Sequence, residues 1–195
     1  MRKAWSKRMD SERIPMDLGV KNLWLLPSDI HLSGAEIELS HRIGRETRLR
    51  EALAPIIDDF DHIIIDTPPS LGLLSINALC AANWVFIPVQ AEYYALEGLS
   101  QLLNTIRLVQ KKLNKKLSIE GILATMFDTR LNLSKEVVRE LKEYFGDKVY
   151  KTTIHRNVRL SEAPSHGQPI LLYDASSIGA QDYMNLTLEI LKKNE

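Results

Sequence analysis

Three short apolar runs limit what this chain can fold into: Ile63-Ile64-Ile65, Trp84–Val89 and Ile119–Ala124. The first two are β-branched or aromatic without polar alternation, and the third, apart from Glu120, repeats the type, as in strands covered on both faces. Strands of that kind lie parallel and need crossover helices to join them. The sequence supplies such helices. Leu99, Leu102, Leu103, Ile106 and Leu113 recur at helical spacing between the second and third runs, and Val137, Val138, Leu141, Tyr144 and Phe145 do so after the third. Gly146 then stands where a helix C-terminal cap belongs. Leu23–Leu26 reads as a further short strand ended by Pro27, and Val149–Ile154 as a weaker one. Helices are also expected around Ala35–Ser40, around Glu46–Ile57, and from about Gly179 to Lys193 with Tyr183, Leu186 and Ile190 on one face. The fold class this predicts is α/β, an open and mostly parallel sheet flanked by helices. Residues 1–20, with mixed charge and Pro15, read as a weakly structured lead-in, and residues 21–195 as the domain.

Composition removes several functional classes. Apolar residues at 45% and charged residues at 26% suit a packed domain, and a formal net charge of zero means that any affinity for nucleic acid must come from a local patch. Cys80 is the single cysteine, which excludes a disulfide framework and a multi-cysteine metal centre and implies an intracellular location. No apolar run reaches the roughly 18 residues of a membrane span. The histidines at 31, 41, 62, 155 and 166 include no i, i+4 pair, so a zinc-protease site is unsupported.

Ligands bind beyond the carboxyl ends of the strands in such a sheet, so what each strand delivers there matters most. The run His62–Ile65 delivers Asp66, followed by Thr67-Pro68-Pro69-Ser70. A carboxylate at that point can hold a water of a Mg²⁺ ion, and the same residue types also serve as plain turn formers. A phosphate-cradling G-x-x-x-x-G-K-[ST] loop is absent. The nine glycines lie at 19, 34, 44, 72, 98, 121, 146, 167 and 179, and no two are five apart. The same positions exclude G-x-G-x-x-G and G-x-S-x-G. Two basic stretches remain: Arg107, Lys111, Lys112, Lys115 and Lys116, and Lys148, Lys151, Arg156 and Arg159. Basic clusters can hold DNA phosphates without reading sequence, and they also form ordinary solvated faces. The second stretch falls in a loop after a strand, where functional residues concentrate.

Four strings carry a more specific signal: Asp61–Ser70 (DHIIIDTPPS), Val85–Gly98 (VFIPVQAEYYALEG), Thr125–Asp128 (TMFD) and Asn157–Gly167 (NVRLSEAPSHG). Together, in this order and at these separations, they resemble the ParA/Soj chromosome-partitioning ATPases, from about Leu23 to the end of the chain. The resemblance implies a deviant P-loop NTPase fold, an AAA-31/CbiA-type ATPase domain. It further implies ATP and Mg²⁺ as cofactors, an ATP-dependent homodimer, nonspecific DNA binding, a ParB-like partner that stimulates hydrolysis, and a cytoplasmic, nucleoid-associated location without membrane attachment. By the same resemblance Asp66 would serve the Mg²⁺ site through a water. Gln90 and Glu92, in the segment Gln90–Gly98, would lie near the nucleotide and the dimer interface. Met126, Asp128, His155 and Arg156 would border the adenine, and Arg130 and Arg159 would bind DNA.

Two departures from the family pattern stand out. His155 replaces the usual proline before the Arg-Asn of the adenine loop. The family's opening strand, its K-G-G-V-G-K-T loop, the following helix and a second strand ending near a catalytic aspartate have no counterpart here. The chain is therefore expected to be an N-terminally truncated ATPase domain that does not hydrolyse ATP alone, since the phosphate-neutralising lysines are lacking. A missing central strand would also leave exposed sheet edges that favour self-association. The alternative is a non-catalytic DNA- or partner-binding remnant of the same fold. A MinD-like relative would end in a basic amphipathic membrane helix, whereas this chain ends Leu191-Lys192-Lys193-Asn194-Glu195. Iron–sulfur carriers and nitrogenase-reductase relatives require paired cysteines.

Overall fold

Strands Trp84–Gln90 (β3) and Ser118–Thr125 (β4) pair in parallel over their whole length, from Trp84 opposite Ser118 to Gln90 opposite Thr125. They belong to a computed structural model that describes residues 16–17, 20–28, 30–93 and 95–194. The chain divides into two units, and most of the sequence expectations can be located within one or the other. One unit comprises the residues up to Asn83 together with Asn104–Leu117; the other comprises Trp84–Leu103 and Ser118 onward.

In the second unit the helical stripes form as expected. Helix Ala95–Lys112 (α4) opens in this unit, and Asn132–Phe145 (α5) follows β4. Val137 and Leu141 on α5 are buried, and Gly146 ends it with a φ of 52°, a conformation that costs glycine nothing. Short helices Val158–Glu162 (α6) and Ile170–Tyr173 (α7) lead into the long Ile178–Asn194 (α8). Asn157 caps α6, its side-chain oxygen accepting the Arg159 amide. Leu123, Tyr150, Ile154 and Leu186 form a buried cluster, with Leu160 and Ile190 packed against it.

The weak strand Val149–Ile154 runs parallel to β4 through isolated bridges at Ile122–Val149 and Phe127–His155. A side chain explains why the ladder is broken. Glu189 on α8 accepts the amides of Lys151 (2.7 Å) and Thr152 (2.9 Å), while Tyr150 and Ile154 donate to the β4 carbonyls of Ile122 and Ala124. Two amides of the strand are thus satisfied by a helix rather than by the sheet.

The first unit departs further from expectation. Trp24–Leu25 (β2) is a strand, but it pairs antiparallel with Met16–Asp17 (β1) and stands outside the parallel sheet. The rest of the expected lead-in, apart from Val20, lies outside the described residues. Helices Ala35–Leu39 (α1), Arg48–Leu53 (α2) and Leu73–Ala81 (α3) form, α2 being flanked by 3-10 turns at Arg45–Thr47 and Ala54–Asp59. The run Ile63–Ile65, expected to be a strand buried on both faces, is neither. It joins no ladder among the described residues, and Ile64 is 93% exposed. Its β-branched composition favours extended backbone, but a strand exists only where a neighbour supplies hydrogen bonds, and none of the described residues provides one.

Polar side chains tie this unit together. Asn77 of α3, itself buried, accepts the amide of Leu49 (3.1 Å) and donates to the carbonyls of Arg45 (2.8 Å) and Leu73 (2.9 Å). Asn114 donates to the carbonyls of Leu79 and Ala82 and so satisfies the open end of α3. Cys80 is buried and its thiol is pushed up by that burial, so it behaves as an inert core residue.

Candidate functional site

The carboxyl ends of β3 and β4 bring most of the expected site residues together. Gln90 closes β3 opposite Thr125, and the next residue, Ala91, donates its amide to the Thr125 carbonyl (2.8 Å). The buried hydroxyl of Ser134, in the first turn of α5, donates to the Ala91 carbonyl (3.2 Å) and fixes the loop after β3. Beyond β4 the chain turns at Met126, which holds a φ of 53°, a left-handed conformation that a residue with a Cβ seldom adopts. That turn carries Phe127 against the segment after Ile154. Phe127 donates to the Ile154 carbonyl, Arg156 donates to that of Phe127, and the rings of Phe127 and His155 meet edge to face.

Charge is arranged tightly around this turn. Asp128 accepts from Arg130 three times, from its backbone amide (3.0 Å), its Nε (3.0 Å) and its Nη2 (2.7 Å). These bonds, with the positive charge of Arg156 adding, hold the Asp128 carboxyl well below the usual carboxylate range. Even so, the Arg130 side chain is 85% exposed. Arg156 reaches Glu92 through Nη2 (2.8 Å), joining the two loops. Of the segment Gln90–Gly98, residue 94 and the side chains of 95–97 lie outside the described residues.

Arg159 is anchored separately. Its Nη1 pairs with Glu162 (2.9 Å) and its Nε with Asp174 (3.4 Å), while the hydroxyl of Tyr173 donates to Glu162 (3.2 Å). Both arginines expected to bind DNA are therefore already held by carboxylates, which orients their guanidinium groups in advance.

Asp66 belongs to the first unit and is exposed there at the end of the unpaired run. The loop after it is held by the buried Ser75, whose hydroxyl donates to the Ser70 carbonyl (2.5 Å). Glu36 of α1 accepts the Leu74 amide (3.1 Å) and occupies the N-terminus of α3. Among the described residues no cluster of three or more histidine, cysteine or acidic side chains could hold a metal ion.

A further pair was not anticipated from the sequence. His155 donates its backbone amide to Oδ2 of Asp182 on α8 (2.9 Å), and its ring Nδ1 lies 2.9 Å from the same oxygen. Asp182 is 8% exposed. The available signal was its spacing, because Asp182, Leu186 and Ile190 form an i, i+4, i+8 series and place a carboxylate on the apolar stripe. Tyr183, expected on that face, is exposed instead.

With this geometry in place, the chain can be compared with known proteins. Residues 4–119 match the AAA domain family AAA_31. The chain is 63% identical over 171 residues to the sporulation initiation inhibitor protein Soj of Bacillus subtilis, across 88% of this chain and 68% of that protein. The chain belongs to the ParA/Soj family of chromosome-partitioning ATPases. Two solved structures extend the comparison. A putative plasmid partition protein of Borrelia burgdorferi, bound to AMPPNP, superposes with a TM-score of 0.77 at 26% identity, covering 99% of this chain and 73% of the other. A structure described as cobyrinic acid a,c-diamide synthase of Mycobacterium smegmatis, with bound ADP and magnesium, gives 0.65 at 42% identity, covering 70% and 56%. This ParA/Soj chain therefore has the P-loop NTPase fold, a parallel sheet flanked by helices. No helix among its described residues is long and apolar enough to cross a membrane.

Proposed function

We propose that this chain serves chromosome or plasmid segregation as an adenine-nucleotide-dependent protein that holds DNA without reading its sequence. The observation that carries the reading is the meeting of Gln90, Glu92, Met126, Asp128, His155 and Arg156 at the carboxyl ends of β3 and β4, in a member of this family. On this reading Met126, Asp128, His155 and Arg156 border the adenine. Gln90 and Glu92 lie toward the nucleotide and the second copy of an ATP-dependent dimer. Asp66 serves magnesium through a water. A lone exposed carboxylate fits that role, because Mg²⁺ keeps several waters and takes further ligands from phosphate oxygens. The ion supplies positive charge against the triphosphate.

Arg130 and Arg159 are the DNA contacts. Each guanidinium is held by carboxylates, so little freedom is lost when it meets a phosphate, and phosphate contacts carry no base information. The partner that stimulates the cycle is a ParB-like protein, and the protein resides in the cytoplasm on the nucleoid. Because the sequence holds no G-x-x-x-x-G-K-[ST] loop, a second reading stands beside the first. In it the chain is a non-catalytic DNA- or partner-binding protein of this fold.

One set of measurements separates them. The purified chain is expected to show no Mg²⁺-dependent ATP turnover; turnover would refute the expectation that the chain alone does not hydrolyse ATP. DNA binding is expected to weaken by at least roughly tenfold, with a flatter salt dependence, in the Arg130→Glu/Arg159→Glu double variant. Unchanged DNA affinity would remove both arginines from the interface. DNA binding that needs no nucleotide would favour the non-catalytic protein.

A further inference from the structure

The pairing of His155 with Asp182 fixes more than the position of a ring. Oδ2 of Asp182 accepts the His155 backbone amide and stands 2.9 Å from Nδ1. A carboxylate oxygen offers only lone pairs, so a neutral His155 must carry its proton on Nδ1 to make that bond. Its other nitrogen, Nε2, is then an acceptor. Phe127 steadies the ring from the edge, with centroids 5.6 Å apart, and the side chain stays about a third exposed, at 34%. The one buried side-chain nitrogen or oxygen without a partner among the described residues is Nε of Arg48, so Nε2 of His155 is not an orphan sealed in the core. The geometry is that of an acceptor held in a set direction beside Arg156 and the Met126–Asp128 turn.

We infer that Asp182 is a positioning residue that sets the tautomer of His155 and thereby makes the site prefer adenine over guanine nucleotides. The inference rests on the reading above, in which His155 borders the base. At the six-position adenine presents an amino donor and guanine a carbonyl acceptor. An Nε2 acceptor pairs with the first and repels the second. A protonated Nε2 would do the reverse, so discrimination follows from which nitrogen bears the hydrogen, and Asp182 decides that from 27 residues away in sequence.

The test uses the full chain with Mg²⁺ and a fluorescent mant-ATP probe displaced by ATP or GTP. The wild type is expected to favour ATP. In Asp182→Ala no oxygen holds the hydrogen on Nδ1, and the ATP/GTP preference is expected to fall by about tenfold, the worth of one hydrogen bond. Asp182→Asn, whose side-chain oxygen can still accept from both the His155 amide and Nδ1, is expected to keep it. In a His155→Ala background the Asp182→Ala change is expected to leave the ratio unaltered, which loss of helix packing alone would not produce. Long-range ¹H–¹⁵N spectra supply a second readout. The His155 ring, assigned by its disappearance in His155→Ala, is expected as the Nδ1–H tautomer in the wild type. A ring that carries a hydrogen on Nε2, whether as the neutral tautomer or as the imidazolium, overturns the inference whatever the binding data show. ATP binding that persists in a folded Asp182→Ala protein with its preference unchanged overturns the inference but leaves the nucleotide reading intact. Failure of the wild type to bind either nucleotide overturns both.

Discussion

Asn77 shows how much of the first unit depends on single polar side chains. Its buried amide group satisfies one donor and two acceptors contributed by residues 45, 49 and 73, so it bonds the 3-10 turn and α2 onto α3. Removing it takes the side-chain partner from those part-buried backbone groups, and each group left unpaired costs on the order of 1–3 kcal/mol. Asn77→Ala is expected to destabilise the protein by roughly 2–4 kcal/mol, which is large among point substitutions. Equilibrium urea unfolding measures it, and a change below about 0.5 kcal/mol would mean that water replaces the lost partners. Asp182 and Glu189 belong to the same class of side chain, each a carboxylate on α8 that accepts backbone amides of the segment beside β4.

At the scale of elements, the segment after β4 packs against the sheet only because Gly121 has no side chain. A methyl group there would overlap the ring of Tyr150. That ring is buried, stacks at a tilt on Phe86, and has its hydroxyl on Glu120 (3.2 Å) with Lys193 5.0 Å above its face. So constrained, it has little room to yield. Gly121→Ala is expected to cost roughly 1–3 kcal/mol through overpacking, against the small gain that alanine normally brings to a strand. Thermal melts of the single variant and of Gly121→Ala/Tyr150→Leu test the cause, since the smaller partner should recover part of the loss. If it recovers nothing, the penalty lies in the β4 backbone rather than at the ring.

For the whole molecule, the ionisable groups set opposite limits in acid and alkali. Glu46 is held low by its hydrogen bond from Arg45, Asp128 by those from Arg130, and Glu162 by that from Arg159. Burial pushes Glu189 up, but the amides of Lys151 and Thr152 outweigh it and hold the group below its ordinary value. A carboxyl depressed in the folded state binds protons more readily when unfolded. Its contribution is therefore complete above the unfolded value of about pH 4 and is lost as pH falls through the lower folded one. Tyr150 is raised by burial and by the neighbouring Glu120. Its contribution is complete below the unfolded value of about pH 10 and is lost as pH rises past it. Stability measured by denaturant midpoint should form a plateau between these limits and fall on both sides. Glu189→Gln should blunt the acid limb, and an unchanged limb would show that Glu189 titrates alike folded and unfolded.

The sequence by itself determined the helices α4, α5 and α8, the strands β3 and β4, and the family. Each of these is written locally, in side-chain spacing or in contiguous strings of residues, and local spacing survives any rearrangement of neighbours. Met126 and Asp128 stand in one of the four strings and Arg156 directly precedes another, so their places in the chain were written there, while the adenine role that the resemblance implies for them belongs to the proposal. What only the tertiary structure decided is who pairs with whom. Ile63–Ile65 has every compositional mark of a buried strand, yet it joins no ladder among the described residues and Ile64 stands exposed, since hydrogen bonds require a partner that composition does not name. Trp24–Leu25 found an antiparallel neighbour for the same reason. Asp182 was hidden in an apolar stripe, and its meaning depends on His155, which reaches it only when α8 packs beside the end of β4. A carboxylate can be buried only where donors converge on it, and that convergence is a property of the folded chain.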